Sequence, residues 1–205
     1  MKYEWLEVAK KIQAISQAGL TYSNNQFDME RYAELRDISV DIMSRFTGLE
    51  MEEIRGLFAN ESGYQTPKIS VRGVVFKDNK ILLVREIKDG CWSLPGGWAD
   101  IGFTPGEAAV KEVKEESGFD VKPLKVLAVL DRRCHSHSPS PYHVYKIFIQ
   151  CEIVGGEGSP GPETSEVGFF DRDHLPALSA ERVTEQQIKW MFEYLDNPFR
   201  EVLFD

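Results

Sequence analysis

Glu112, Glu115 and Glu116 stand at spacings i, i+3 and i+4. On a helix this spacing projects all three carboxylates from one face. Like charges so placed repel one another by about a few tenths of a kcal/mol per pair. A solvated acidic face is the plain reading of such a triplet. The chemical reading is a site for hard divalent cations, which prefer oxygen ligands and relieve the repulsion.

The residues around the triplet favour chemistry. Leu94-Pro95-Gly96-Gly97-Trp98 is a turn in which two glycines, lacking Cβ, let the backbone pass close to a ligand. Thr104-Pro105-Gly106-Glu107 is a capping box with proline at the first helical position, and Gly118 stands where a C-terminal cap belongs. A helix over Thr104–Ser117 follows, with Ala109, Val110 and Val113 supplying its buried side. A glycine loop, a capped helix, a focused carboxylate group and a glycine stop together point to metal-dependent phosphate chemistry.

This segment resembles the Nudix hydrolase motif, G-x5-E-x7-R-E-U-x-E-E-x-G-U, where U is aliphatic or bulky and apolar. Gly97 opens it, Glu112-Val113-Lys114-Glu115-Glu116 forms its centre, and Gly118-Phe119 closes it. Two positions depart, Phe103 for the first glutamate and Lys111 for the arginine. In the family those two residues commonly pair to brace the loop. Their joint loss leaves neither charge buried without a partner, and Lys111 can neutralise Glu112 or Glu115 without the fork of arginine.

The resemblance implies a Nudix α/β/α sandwich with a mixed sheet and a Mg²⁺-dependent attack of water on a diphosphate. It implies about two or three Mg²⁺ ions, with Mn²⁺ as a substitute, held by Glu112, Glu115, Glu116 and the Gly96 carbonyl. The base would be a motif glutamate such as Glu112, or one from the loop Gly155–Glu166, with Glu163 preferred and Glu166 second. A helical leader ahead of the domain resembles a bacterial Nudix subgroup acting on ADP-ribose and CDP-choline. The implied reaction splits a nucleoside diphosphate linked to another moiety into a nucleoside monophosphate and a phosphorylated product. Arg72 and Arg85 can reach phosphate oxygens. Trp98, with Trp92, Tyr142 and Tyr145, can stack on a base or belong to the core. His143 and the nearby Cys134-His135-Ser136-His137 read as pocket lining or surface rather than a transition-metal site.

The rest of the chain must hold that segment. Its 205 residues, 42% hydrophobic and 28% charged, allow one sizeable core and a small appendage. Residues 1–62 read as a small all-α domain, with Trp5, Val8, Ile12 and Ile15, then Leu35, Ile38, Ile42 and Phe46, recurring at helical spacing. Tyr22–Asn25 forms the turn, Asp28 is the expected cap of the second helix, Gly48 its end, and Glu50–Phe58 a third helix. Glu61–Pro67 has linker composition, and residues 67–205 form the catalytic domain.

In that domain Ile69–Phe76 and Lys80–Arg85 read as a hairpin across Asp78-Asn79. Further strands are expected at Val121–Leu130, His143–Glu152 and Val167–Phe170, with a helix over Ala180–Leu195. The mixture indicates an α/β or α+β sandwich rather than a doubly wound sheet.

A net charge of −9 disfavours broad attachment to nucleic acid. In residues 1–60, ten acidic against seven basic side chains argue against a DNA-binding leader. Dimerisation through Trp5, Val8, Ile12 and Ile15 fits better, giving a homodimer. No apolar run approaches the roughly 20 residues that cross a bilayer, and Met1–Lys11 is unlike a secretory signal, so a cytoplasmic protein without membrane partners is expected. Cys91, Cys134 and Cys151 read as reduced thiols. The rival to an enzyme is a nucleotide-sensing Nudix-fold binding module, to which a repulsive carboxylate cluster brings no advantage.

Overall fold

A computed structural model describes residues 4–48, 50–59, 63–138 and 140–205. The chain divides into two compact units, Met1–Pro67 with Pro139–His143, and Lys68–Ser138 with Val144–Asp205. Of the expected linker, Glu61 and Ser62 lie outside the described residues. No described helix is long and apolar enough to cross a membrane.

The first unit contains α1 (Glu4–Tyr22), α2 (Gln26–Thr47) and α3 (Met51–Phe58). The cap of α2 is Asn25, whose side chain accepts from the amides of Phe27 and Asp28, so Asp28 lies in the first turn instead. An asparagine just before the helix reaches those donors, whereas a side chain inside it projects sideways. Gly48 closes α2 at φ 73°.

The helices also meet along a different stripe from the expected one. Leu6, Ala9, Gln13 and Ser16 of α1 are buried, with Ser39, Val40 and Met43 of α2 and Ile54 of α3. Small side chains permit close approach, and a Cβ at Gly19 would stand 2.4 Å from the Tyr32 ring. Larger apolar groups are displaced outward: Val8 is 50% and Ile15 51% exposed, and Trp5 stacks on Phe46 at 4.7 Å.

The second unit is built on β1 (Lys68–Lys77), β2 (Lys80–Glu86), β3 (Trp92–Ser93), β4 (Phe119–Asp131), β5 (Val144–Gly156), β6 (Thr164–Phe170) and β7 (Leu203–Phe204). The order is β3-β2-β1-β5-β4-β7, with β6 on β2. β1 and β5 run parallel, as do β4 and β7, and the remaining pairs are antiparallel. Asp78 and Asn79 both take positive φ, the geometry of a tight hairpin turn.

Alternation along the strands sorts the core into two layers. Val74, Ile81, Leu83 and Phe148 pack with Ile188, Met191 and Phe192 of α5 (Glu185–Asp196). Val75, Leu82, Ile149 and Cys151 pack with Ala109 and Val113 of α4 (Pro105–Ser117). The mixed sheet therefore lies between α4 and α5, as the α/β/α reading requires.

Helix α5 starts later than Ala180 because Thr184 and Gln187 form a capping box. Ahead of it, the carbonyls of Ala180, Glu181 and Arg182 face the side chains of His137 and Lys146 instead of helical amides.

Strand β7 was not foreseen. It lies on Ala128 and Val129 of β4. The Tyr194 hydroxyl secures it, accepting from the Leu203 amide at 2.9 Å and lying 2.5 Å from the Leu127 carbonyl. Asp205 then accepts from the Asp131 amide at 2.7 Å.

Candidate active site

The glycine loop is laid along the start of β1 by main-chain bonds. Gly73 N–H donates to Pro95 O at 2.8 Å, Val71 N–H to Gly97 O at 2.9 Å, and Ala99 N–H to Ile69 O at 2.9 Å. Gly96 has φ 150°, and a Cβ there would fall 2.1 Å from the Val71 carbonyl. At Gly97 a Cβ would stand 2.8 Å from Glu112 Oε1. One glycine is thus demanded by the strand and the next by the carboxylate.

Helix α4 brings its glutamates to this loop. The Thr104 amide donates to Glu107 at 2.9 Å and the Glu107 amide to Thr104 Oγ1 at 3.3 Å, which completes the expected capping box. Gly118 ends the helix at φ 77°. The last turn is pinned from outside: Thr164 Oγ1 donates to Glu116 O at 2.8 Å and accepts from the Gly161 amide at 2.8 Å.

The three glutamates differ in environment. Glu116 is 7% exposed and accepts from the Gly96 amide at 2.8 Å. Burial pushes its carboxyl up to about 8, against the pull of Arg72 and of that amide. Glu112 is also raised, by burial, with Lys111 and Arg72 opposing. Glu115 is turned outward and pairs with Lys111 at 2.8 Å.

Lys111 also lies 3.5 Å from Asp100. A carboxylate three residues before Phe103 thus faces Lys111, which links the loop to the helix. Asp100 is a residue that motif matching alone passes over.

Arg72 is buried beneath the loop rather than presented to solvent. Its Nη1 donates to Leu94 O at 3.2 Å and to the Gly96 carbonyl, while its Nε has no partner among the described residues. Arg85 and Glu166 are cross-strand neighbours and pair with each other at 2.5 Å, so each engages a group that was expected to serve substrate. Glu163 is exposed, and its carbonyl holds the Ile87 amide at 3.0 Å. Trp98 is 49% exposed and bridges to Ser70. His143 is half-buried and falls in the first unit.

Among the described residues no group of three or more His, Cys, Asp or Glu side chains is close enough to hold a metal. His135 contacts Asp205 and His137 is held by Ala180 and Gln187, so both have structural tasks. At the glycine loop the oxygen donors are Glu112, Glu116 and the Gly96 carbonyl, the last of which also accepts from Arg72. This all-oxygen set fits a hard cation such as Mg²⁺ or Mn²⁺. The buried Glu116 carboxyl fits too, since a cation would favour its charged form.

Other residues became visible only in the fold. Arg182 pairs at 2.5 Å with Glu86, which also accepts from Ser93 Oγ at 2.7 Å. Lys146 is 2% exposed. Its sequence signal is an inward place in the alternation Val144-Tyr145-Lys146-Ile147-Phe148.

Residues 66–193 match the model of the NUDIX domain, and residues 3–58 match that of a UDP-X-like, N-terminal oligomerisation domain. A putative ADP-ribose pyrophosphatase of Bacillus subtilis is 50% identical over 202 residues, covering 98% of this chain and 97% of the relative. An ADP-ribose pyrophosphatase of Streptococcus suis, whose structure is solved, is 43% identical with a TM-score of 0.63, covering 68% of this chain and 100% of its own. The solved structure of a UDP-X diphosphatase is 31% identical with a TM-score of 0.64 and covers 98% of both chains. With a matching domain model across most of its length and a relative of half its residues in common, the chain belongs to the Nudix family of pyrophosphohydrolases.

Proposed function

We propose that this protein hydrolyses the pyrophosphate bond of a nucleoside diphosphate linked to a second moiety, of the ADP-ribose or CDP-choline type, in a Mg²⁺-dependent reaction. The products are a nucleoside monophosphate and the phosphorylated remainder. The observation that carries this reading is the seating of Glu112 and Glu116 on Gly97 and Gly96. The names of the B. subtilis and S. suis relatives support the ADP-ribose type.

Bound magnesium would supply neutralisation of the diphosphate charge. Glu112, Glu116 and the Gly96 carbonyl would hold it, with Glu115 joining on release from Lys111. The Gly96 amide orients Glu116, and Lys111 with Asp100 keeps the loop at a fixed height above α4. Glu163 is the base, because Glu166 is held by Arg85. Trp98 offers a face for the base or sugar. A sensing module is less well supported, since a buried carboxyl beside a half-buried one has no value without a cation.

A screen for release of nucleoside monophosphate, separated by chromatography, over ADP-ribose, CDP-choline and nucleotide sugars, each with Mg²⁺ or Mn²⁺, tests the reading. ADP-ribose is expected to lead, and Glu163→Gln to lower kcat by about 10²-fold or more with KM little changed. Release from no compound in the panel would refute it.

We also propose that the N-terminal unit joins two chains into a homodimer. Val8 and Ile15 remain half-exposed outside the α1–α2 contact, and the matched family model describes an oligomerisation domain. The double variant Val8→Glu, Ile15→Glu is expected to halve the molar mass seen by light scattering. An unchanged mass would count against this face.

A further inference from the structure

Beyond the carboxylate helix, four basic side chains gather at the end of the sheet where β1 and β5 begin and β4 ends. They come from four separate stretches: Arg72 on β1, Arg132 after β4, Lys146 on β5, and Arg182 ahead of α5. Lys146 feels the charges of all three arginines, and Arg72 feels that of Arg182. Ser70 and Leu130 are the register partners of Lys146, so the cluster spans three adjacent strands.

Its compensation is uneven. Arg182 has Glu86, Arg132 is influenced by Glu181, and Arg72 by Glu116. Lys146 contacts the carbonyls of Glu181 and Arg182, and no described carboxylate pairs with it. Burial and then the three arginines push its amine down to about 5. Nearby, Arg72 Nε is a buried donor without a partner. An apolar residue at position 146 would continue the side formed by Val144 and Phe148 without either cost. Buried like charges are retained against such a penalty where a ligand of opposite sign completes them.

We infer that Arg72, Arg132, Lys146 and Arg182 form an oxyanion site that receives a phosphoryl group of the substrate. The assignment to substrate rests on the pyrophosphohydrolase reading above. Arg72 links the two regions, since it touches the Gly96 carbonyl and neighbours Lys146. Planar guanidinium groups match tetrahedral oxyanions, and a bound oxyanion would draw the Lys146 amine toward its charged form. The site would bind one end of the diphosphate by nitrogen donors while the carboxylate face serves the other. Neither Arg132, Lys146 nor Arg182 belongs to the Nudix motif.

The test uses the full-length protein with inorganic phosphate as probe. In chelator, without metal, phosphate is expected to bind the wild type saturably by calorimetry. Lys146→Met and Arg132→Gln should each weaken that binding about tenfold or more. Lys146→Met replaces a buried polar group beside three arginines by an apolar one of similar length, so its melting temperature without phosphate should equal or exceed that of the wild type. If it does not fold, Arg132→Gln carries the comparison. In turnover assays phosphate should compete, raising KM and leaving kcat unchanged. Equal phosphate affinity in wild type and variants, or no binding, would overturn the site. Phosphate binding that depends on Lys146 and Arg132 but does not compete would overturn its assignment to substrate. The binding arm needs no turnover, so a failed site and a failed enzyme give different results.

Discussion

Replacing Glu116 by glutamine is expected to lower Mg²⁺-dependent turnover by more than about 100-fold and to stabilise the metal-free protein at alkaline pH. Both effects have one cause. Glutamine keeps an oxygen for the Gly96 amide but cannot carry the charge that a cation needs. In the wild type, burial raises the Glu116 carboxyl to about 8 from an ordinary 4.5. Between those values the native state holds a proton that the unfolded chain has released. Stability of the metal-free protein therefore falls as pH rises through that window, by up to roughly 1.4 kcal/mol per pH unit. Mg²⁺ should recover the loss, and its effect on melting temperature should be larger at pH 8 than at pH 6. Melting curves across pH, with chelator and with Mg²⁺, read this directly. In Glu116→Gln the slope should flatten, and undiminished turnover would remove Glu116 from the metal site.

Gly96→Ala is expected to damage both the stability and the turnover of the catalytic unit. Its Cβ would lie 2.1 Å from Val71 O and 2.9 Å from Arg72 Cα, both backbone atoms of a paired strand. Relief requires the loop to rise from β1, which breaks the bonds from Gly73 to Pro95 and from Val71 to Gly97. Two lost bonds with their buried groups left unpaired cost about 3 kcal/mol or more. The same movement takes the Gly96 amide away from Glu116, so kcat/KM should fall together with stability. Gly102→Ala provides the contrast. Gly102 also has positive φ, 96°, but open space where a Cβ would stand, so its cost is about 1–2 kcal/mol of backbone strain. Urea unfolding and kcat/KM for both variants give the comparison, and equal effects would contradict the close-contact argument.

What could be read from the residues follows a physical division. Helix α4 was legible to within a residue, because caps and glycine stops act within one turn of their own sequence. The strands were legible because their apolar alternation faces two packed helices. The start of α5 was misplaced since Ala180–Val183 looks helical in composition, while its carbonyls are committed to His137 and Lys146, more than thirty residues earlier. The stripe joining α1 to α2 was shifted because close helix contact selects Ala9, Ser16 and Ser39 over the larger Val8, Ile15 and Ile38. The site divides in the same way. Glu112 and Glu116 are announced by the motif. Asp100, which faces Lys111, and the basic side chains around Lys146 depend on chain crossings that no local pattern encodes.

The two residues of β7 have an effect out of proportion to their length. They occupy the outer side of β4 at Ala128 and Val129, held by the Tyr194 hydroxyl and by the contact of Asp205 with Asp131. An uncovered strand at that position would offer a ready template to another chain. Leu203 and Phe204 thus shield Ala128 and Val129 from edge-to-edge assembly, a protection that matters most in concentrated solution.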